Sequence, residues 1–431
     1  MRLIGNKTKL LSHIESLLRD RGFATGSLID IFCGTSCVGR HFKRLGMRVI
    51  ANDHMSACYS QAVASIEVSR APKFEKFLHA HRDVVESAEY QKGFNERGSP
   101  ESLLPLSKAV HLLDRFVPPK EGLIYRSYCP GGLHGRKYFQ DGHGRKIDGI
   151  LEILRESSRA DLLAHGELHL LLVSLIDAAD RVANISGTYG AYLKGWQPNT
   201  LGEMGLKVPE VIESLLHHEV HQEDANRLIR HIQGDVLYID PPYNRRQYAA
   251  NYHILEILAE HHRIGDLAAY EASLYGKTGL RPYDDLKSVY CVRPGRAEQN
   301  VLTAMNDLIL SSHARSVVVS YSEEGLLSPE EIGTILARFS RTRSFNFSRD
   351  LVEIEYARFR SDSDRTPADG SAGRTYRVVE GKKPHRIGEF LFWAQRPQTS
   401  RVGKSAGKGR ARSASKAHAA ASEDRSGDGT P

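Results

Sequence analysis

Two apolar segments of strand length, separated by a single short helical stretch, constrain this chain more than any other feature. Ser27-Leu28-Ile29-Asp30-Ile31-Phe32 is the first, followed by a turn at Cys33-Gly34-Thr35-Ser36 and a helix expected from Val38 to about Gly46. Met47-Arg48-Val49-Ile50-Ala51-Asn52-Asp53 is the second, with a helix expected from about Ser56 to Ser69. A strand that returns through a helix runs parallel to its neighbour, so the pattern predicts an α/β fold with a doubly wound sheet.

An amphipathic helix is expected over 3–19, with Leu3, Leu10, Leu11, Ile14, Leu17 and Leu18 on one side. Between about Arg70 and Glu210 the alternation stops. A Gly- and aromatic-rich stretch from Tyr125 to Gly144 has little helical period, and helices are expected at 146–156 and 161–183. Alternation resumes near Ile229, with strands expected at 234–239, 315–321 and 387–394 and helices around 253–263, 296–311 and 329–338. One α/β domain, split into 1–71 and 221–396 by an insertion at 72–220, accounts for this order. Ser361–Arg374 reads as a mobile loop, and 397–431 as a disordered basic tail.

With 431 residues, 40% hydrophobic and 26% charged, the chain has the composition of a globular protein. No apolar run approaches the about 20 residues that span a bilayer, and no signal peptide is evident, so no membrane is expected. Five scattered cysteines argue against a disulfide scaffold and for a cytoplasmic setting. The net charge is +7, of which the tail contributes +4 and the rest of the chain +3. A nucleic acid is therefore a permitted partner, not one that charge demands.

The turn after the first strand, Asp30 to Gly39, lies where sheets of this kind bind ligands, beyond the carboxyl ends of the strands. Asp53 closes the second strand 19 residues after Gly34, a spacing suited to ribose hydroxyls and equally to a carboxylate that caps a tight turn. The pattern is not GxGxxG and carries no Walker lysine, which disfavours dinucleotides and nucleoside triphosphates. Lys7 is a second candidate. Asp224 is a third, able to accept from an adenine amine or to cap a helix.

Downstream, Val236-Leu237-Tyr238-Ile239 runs into Asp240-Pro241-Pro242-Tyr243. Proline fixes φ and keeps the residue before it extended, so this tip is stiff. It presents an acceptor carboxylate, carbonyls and one flat ring, which suits a flat heterocycle bearing an amino group. Other features have blander readings. His217, His218 and His221 have helical spacing, but 213–223 reads as a polar helix and no metal is expected. Cys33 and Cys37 read as packing residues. Tyr125, Tyr128, Arg136, Lys137 and Tyr138 interleave basic and aromatic residues in a way compatible with nucleic acid. Tyr189, Tyr192 and Lys194 suit a phosphate or an aromatic helix edge.

Taken in order, Gly5-Asn6-Lys7, Asp30 to Val38, Asn52-Asp53, the insertion and Asp240-Pro241-Pro242-Tyr243 resemble the Dam-like amino-methyltransferases that act on DNA adenine. The run through Asn244-Arg245-Arg246-Gln247-Tyr248, with Asn251-Tyr252-His253, Ser186 to Lys194 and Ser320-Tyr321-Ser322, is similar to the restriction–modification branch. The resemblance covers roughly 1–395 and departs in one place, a single glycine in the turn at 33–36.

The resemblance implies a Rossmann-like sheet that binds S-adenosylmethionine, with a large, mainly helical target-recognition insertion. Lys7, Asp30, Phe32, Cys33 and Gly34 would line the donor's site, Asp53 would hold its ribose and Asp224 would meet its adenine. Asp240, Pro241, Pro242 and Tyr243 would form the catalytic motif. Asn244, Arg245, Arg246, Gln247 and Tyr248 are candidates for contacts with double-stranded DNA. A monomer that protects sites from a cognate endonuclease is implied, with no metal. A cytosine amine, an RNA base, or a silent DNA-binding module of the same fold remain the alternatives. The absence of a Pro-Cys nucleophile argues against methylation at cytosine carbon.

Overall fold

The computed structural model describes residues 1–3, 5–94, 100–357 and 386–397. A seven-stranded sheet has the order β3-β2-β1-β4-β5-β7-β6, formed by β1 (Ser27–Asp30), β2 (Arg48–Asn52), β3 (Glu219–His221), β4 (Val236–Ile239), β5 (Ser316–Ser322), β6 (Leu351–Ala357) and β7 (Arg386–Gln395). The first five are parallel, and β7 runs antiparallel between β5 and β6. The fold is thus α/β with a mostly parallel, Rossmann-like sheet.

Alternation along each strand feeds two apolar layers, because successive side chains leave opposite faces. Ile29, Ile50, Leu237, Val317, Val319 and Phe392 pack on one face against α10 (Val301–Ser311) and α11 (Pro329–Ser340). Leu28, Val49, Val236, Val318 and Trp393 pack on the other against α1 (Leu11–Asp20) and α2 (Cys37–Arg44). A third core lies among helices, where α7 (His165–Val182) packs on α3 (Ser56–Ala62), α4 (Leu104–Arg115), α6 (Asp141–Arg159) and α9 (His253–Glu260). Among the described residues, no helix is long and apolar enough to cross a membrane.

Several expectations need correction. The first helix does not span 3–19. Gly5 sits at φ +89°, Asn6 Oδ1 accepts from Thr8 N at 2.8 Å, and a single tight turn at Thr8–Leu10 leads into α1. Leu3 is thereby free to line a cavity. The polar helix at 213–223 is instead an irregular segment that ends in β3, paired with β2 through Ile50↔Glu219 and Asn52↔His221. Alternation therefore resumes before Ile229. Helical spacing misled there because His218 is held by the sheet: its Nδ1 accepts from Val49 N at 3.1 Å.

The Gly-rich stretch from 125 holds helical residues on both sides. Buried Asp148 accepts from the backbone N–H of Gly122, Ile124 and Tyr125 and so caps α5 (Leu123–Tyr128), while α6 begins at Asp141. Strand β6 was not anticipated. The expected loop at 361–374 and all but the first residue of the tail lie outside the described residues.

Candidate active site

The strand order reverses between β1 and β4, and a cavity of about 340 Å³ opens beyond their carboxyl ends. Such a switch point is where open α/β sheets hold their ligands. The turn after β1 closes with Ser36 N donating to Cys33 O at 2.6 Å, with Gly34 and Ser36 both at positive φ. A Cβ on Gly34 would meet nothing within 4 Å, so backbone is laid bare to the cavity.

Asp53 braces that turn. Its Oδ2 accepts from Gly34 N and its Oδ1 from Met55 N, both at 2.9 Å. The Cys58 thiol hydrogen-bonds to the same carboxylate, which still keeps acceptor capacity to spare. Burial pushes this carboxyl above its ordinary range against the pull of those two N–H groups. Asp30 is more deeply enclosed: its Oδ2 accepts from Gly39 N at 3.1 Å, and burial, then the neighbouring Asp240, lift its pKa to about 7. Phe32 meets Tyr290 edge to face, with ring centroids 4.9 Å apart. Asp224 caps α8 (Ala225–Leu228), accepting from Arg227 N at 3.0 Å with Oδ1 while bordering the same cavity.

Asp240 follows β4 directly. Lys7 Nζ lies 3.1 Å from Asp240 Oδ1 and 2.6 Å from Glu389 Oε1, and 5.7 Å from the centroid of the Tyr243 ring. Ser320 Oγ donates to the same Glu389 oxygen at 2.6 Å. Asp240 keeps 16% side-chain exposure against 0% for Glu389, so of these two carboxylates it is the one that borders the cavity. Burial raises the Asp240 carboxyl well above the ordinary range; the Lys7 ammonium opposes that rise and Glu389 adds to it. Pro241, Pro242 and Tyr243 border the cavity beside it.

The structure therefore gathers Lys7, Asp30, Phe32, Cys33, Gly34, Asp53, Asp224 and the whole tip around one cavity. The residues after the tip divide. Arg245 and Arg246 are exposed, and Asn244 Oδ1 accepts from Arg246 N at 2.9 Å. Gln247 uses both ends of its amide on Ser288, donating to the carbonyl and accepting from the N–H. Tyr248 borders the cavity next to Gly5. The basic and aromatic run in the insertion is not a surface: Tyr128 and Tyr138 are fully buried, and Arg136 donates to the carbonyls of Ser127, Gly276 and Lys277. Likewise Tyr189 is buried, its hydroxyl donating to Asp180. Among the described residues, no group of three His, Cys, Asp or Glu is placed to hold a metal.

Sequence reasoning missed Glu389 and the segment Leu286–Tyr290, which also borders the cavity. The first had a signal: an acid at the head of the apolar run Phe390-Leu391-Phe392-Trp393 needs a buried cation. The second had none, because its placement depends on Gln247.

A family model described as D12 class N6 adenine-specific DNA methyltransferase matches residues 3–332. The type II methyltransferase M.NlaIII of Neisseria lactamica is 33% identical over 366 residues, 84% of this chain and 93% of that protein. The type II methyltransferase M.FokI of Planomicrobium okeanokoites is 34% identical over 364 residues, and modification methylase StsI of Streptococcus sanguinis 31% over 402. The matches cover 84% and 93% of this chain but only 50% and 52% of those two proteins, so the chain spans about half their length. No solved structure matches.

Proposed function

The chain belongs to the D12 class of N6 adenine-specific DNA methyltransferases, and from that premise we propose how its residues divide the work. The cavity takes S-adenosylmethionine, the donor such chemistry calls for. The observation that carries this assignment is Asp53, whose two oxygens brace the glycine turn at the rim of the cavity and whose remaining acceptor capacity suits a ribose hydroxyl. Phe32 and Tyr290 give flat walls, and Gly34 gives access to backbone. These residues fit the donor. When bound, it supplies an electrophilic methyl group on a sulfonium centre.

The target adenine is flipped from the duplex, because its amine is unreachable within the stack. That amine is a weak nucleophile, its lone pair being delocalised into the ring. Asp240 and the Pro241 carbonyl accept its two hydrogens, which turns the lone pair out of conjugation. Tyr243 stacks on the base, and Pro241 and Pro242 hold the acceptors still. The proton shed by the methylated amine passes to the Asp240 carboxylate, whose raised basicity suits it to receive it.

Arg245 and Arg246 bind phosphates of double-stranded DNA next to the flipped base. Residues 72–220 form the target-recognition region, set between catalytic parts at 1–71 and 221–396, with 397–431 as an appended basic tail. The enzyme is the protective methylase of a restriction–modification system, working as a cytoplasmic monomer beside an endonuclease for the same site. The family match and the methylase relatives favour adenine over the cytosine amine, an RNA base or a silent module. Incubation with unmethylated DNA and labelled S-adenosylmethionine, followed by nucleoside mass spectrometry, tests the assignment. N6-methyladenine is expected; label confined to cytosine or to RNA would overturn it.

A further inference from the structure

Glu389 lies on β7, beyond residue 332 where the family match ends. It pairs in register with Ser322 of β5, and its side chain turns into the same pocket as Ser320, two residues along that strand. Its side chain is wholly buried, and one oxygen receives both Lys7 Nζ and Ser320 Oγ at 2.6 Å. A carboxylate is costly in such a place unless it is paired and hydrogen-bonded. Here it is both, and its cation is the one that also touches the proposed catalytic carboxylate.

We infer that Glu389 is a positioning residue for methyl transfer, holding Lys7 Nζ between itself and Asp240 and tempering the pull of that ammonium on the Asp240 carboxylate. Without it, Lys7 would rest on Asp240 alone among these two acids. That pair would be tighter, and Asp240 would be a weaker acceptor for the amine and a weaker base for its proton. With it, one positive charge is shared between two negative ones.

The other ionisable groups seen to face Asp240 among the described residues fit this account. Asp30 reaches it from β1, Tyr238 from β4, Tyr243 and Tyr248 from the segment after β4, and Cys37 from α2. Burial, first among the causes, raises the pKa of those three phenols and of the thiol, so they stay neutral around pH 7. Among the described residues Lys7, Glu389 and Asp30 are left to set the field, and Glu389 shares the ammonium with Asp240.

The inference rests on the proposed role of Asp240, and one experiment separates the two. Single-turnover transfer from labelled S-adenosylmethionine to unmethylated plasmid DNA is followed from pH 5 to 9 with excess enzyme, and cooperative melting is checked for each variant. The acid limb reports ionisation of Asp240. Glu389→Gln keeps an oxygen for Lys7 and Ser320 but removes the charge, so the limb should move down by about one pH unit. Glu389→Asp keeps the charge on a shorter arm; its plateau rate should fall about tenfold as Lys7 loses its hold. The Asp variant carries the test if the Gln variant does not fold.

A folded Gln variant with the wild-type limb, or inactive at every pH, would overturn the role of Glu389. So would a folded Asp variant with wild-type limb and plateau. Failure of the wild-type protein to methylate adenine would instead overturn the reading of the site.

Discussion

Lys7 Nζ stands 3.1 Å from Asp240 Oδ1, joining the first few residues of the chain to the end of the fourth strand. The contact closes one end of the cavity with a cation fixed by salt bridges on two sides. It also explains why Gly5 adopts φ +89°: the backbone must turn sharply before Lys7, beside the rings of Tyr243 and Tyr248. An L side chain at Gly5 would strain the turn that delivers the ammonium.

Asp240→Asn keeps the shape of the side chain and replaces one acceptor oxygen with a donor. Single-turnover methyl transfer should fall at least about a hundredfold, the scale for losing one group placed for a transition state. Affinity for S-adenosylmethionine, measured by calorimetry, should change far less. Near wild-type turnover would remove Asp240 from the chemistry.

Tyr243→Phe and Tyr243→Ala separate the hydroxyl from the ring. Stacking on a base is worth about 1–3 kcal/mol, so the Ala variant should lose transfer by about tenfold or more while the Phe variant keeps most of it. Equal losses in both would point to the hydroxyl instead.

Asp53→Ala should weaken donor binding by about tenfold or more, because the Gly34 and Met55 N–H groups lose their acceptor together with any hydroxyl contacts. Binding of DNA without the donor should stay within about twofold. Calorimetry for one and fluorescence anisotropy for the other check the split; a matched loss in both would mean that the whole region had unravelled.

Glu256 gives a pH test of stability. Its oxygens accept from Ser56 N and Ala57 N at the start of α3, yet burial, followed by Glu260, lifts its pKa from 4.5 to about 7. The folded state thus holds this proton more tightly than the unfolded chain. The stability it contributes is complete below about pH 4.5 and lost as pH rises to about 7. Glu256→Gln should flatten the fall in that window by up to about 1.4 kcal/mol per pH unit, as measured by urea unfolding. Parallel slopes for both proteins would refute this.

Arg245→Ala and Arg246→Ala test the proposed DNA face. Each lost phosphate contact should reduce the slope of log affinity against log salt by about one. An unchanged slope for both would leave these residues as solvated loop.

The sequence laid out the part of the fold that rests on local pattern. Ile29, Val49, Leu237 and Val317 lie in apolar runs of strand length, and the turn at 33–36 and the tip at 240–243 fall at the strand ends they were assigned. Harder to see were elements that owe their form to distant partners. β3 is only three residues long and is defined by its pairing with β2, so His221 within it and His217 and His218 just before it mimicked a helix. The helix α5 depends on Asp148, more than twenty residues downstream. The insertion's tyrosines look like a binding stripe until packing shows them interlocked in a core. Glu389 left a trace by standing against an apolar run, but its partner, a lysine 382 residues away, could not be read from that trace.

The last strand of the sheet to be synthesised is not its last strand in space. β7 slots between β5 and β6, both of which leave the ribosome before it. Until then β5 has one open flank and β6 has no neighbour, a raw edge of the kind that invites pairing with another chain. Because β7 also brings Glu389, zipping that gap shut and completing the lysine's cage are a single event in the nascent enzyme, and a chain halted upstream has neither.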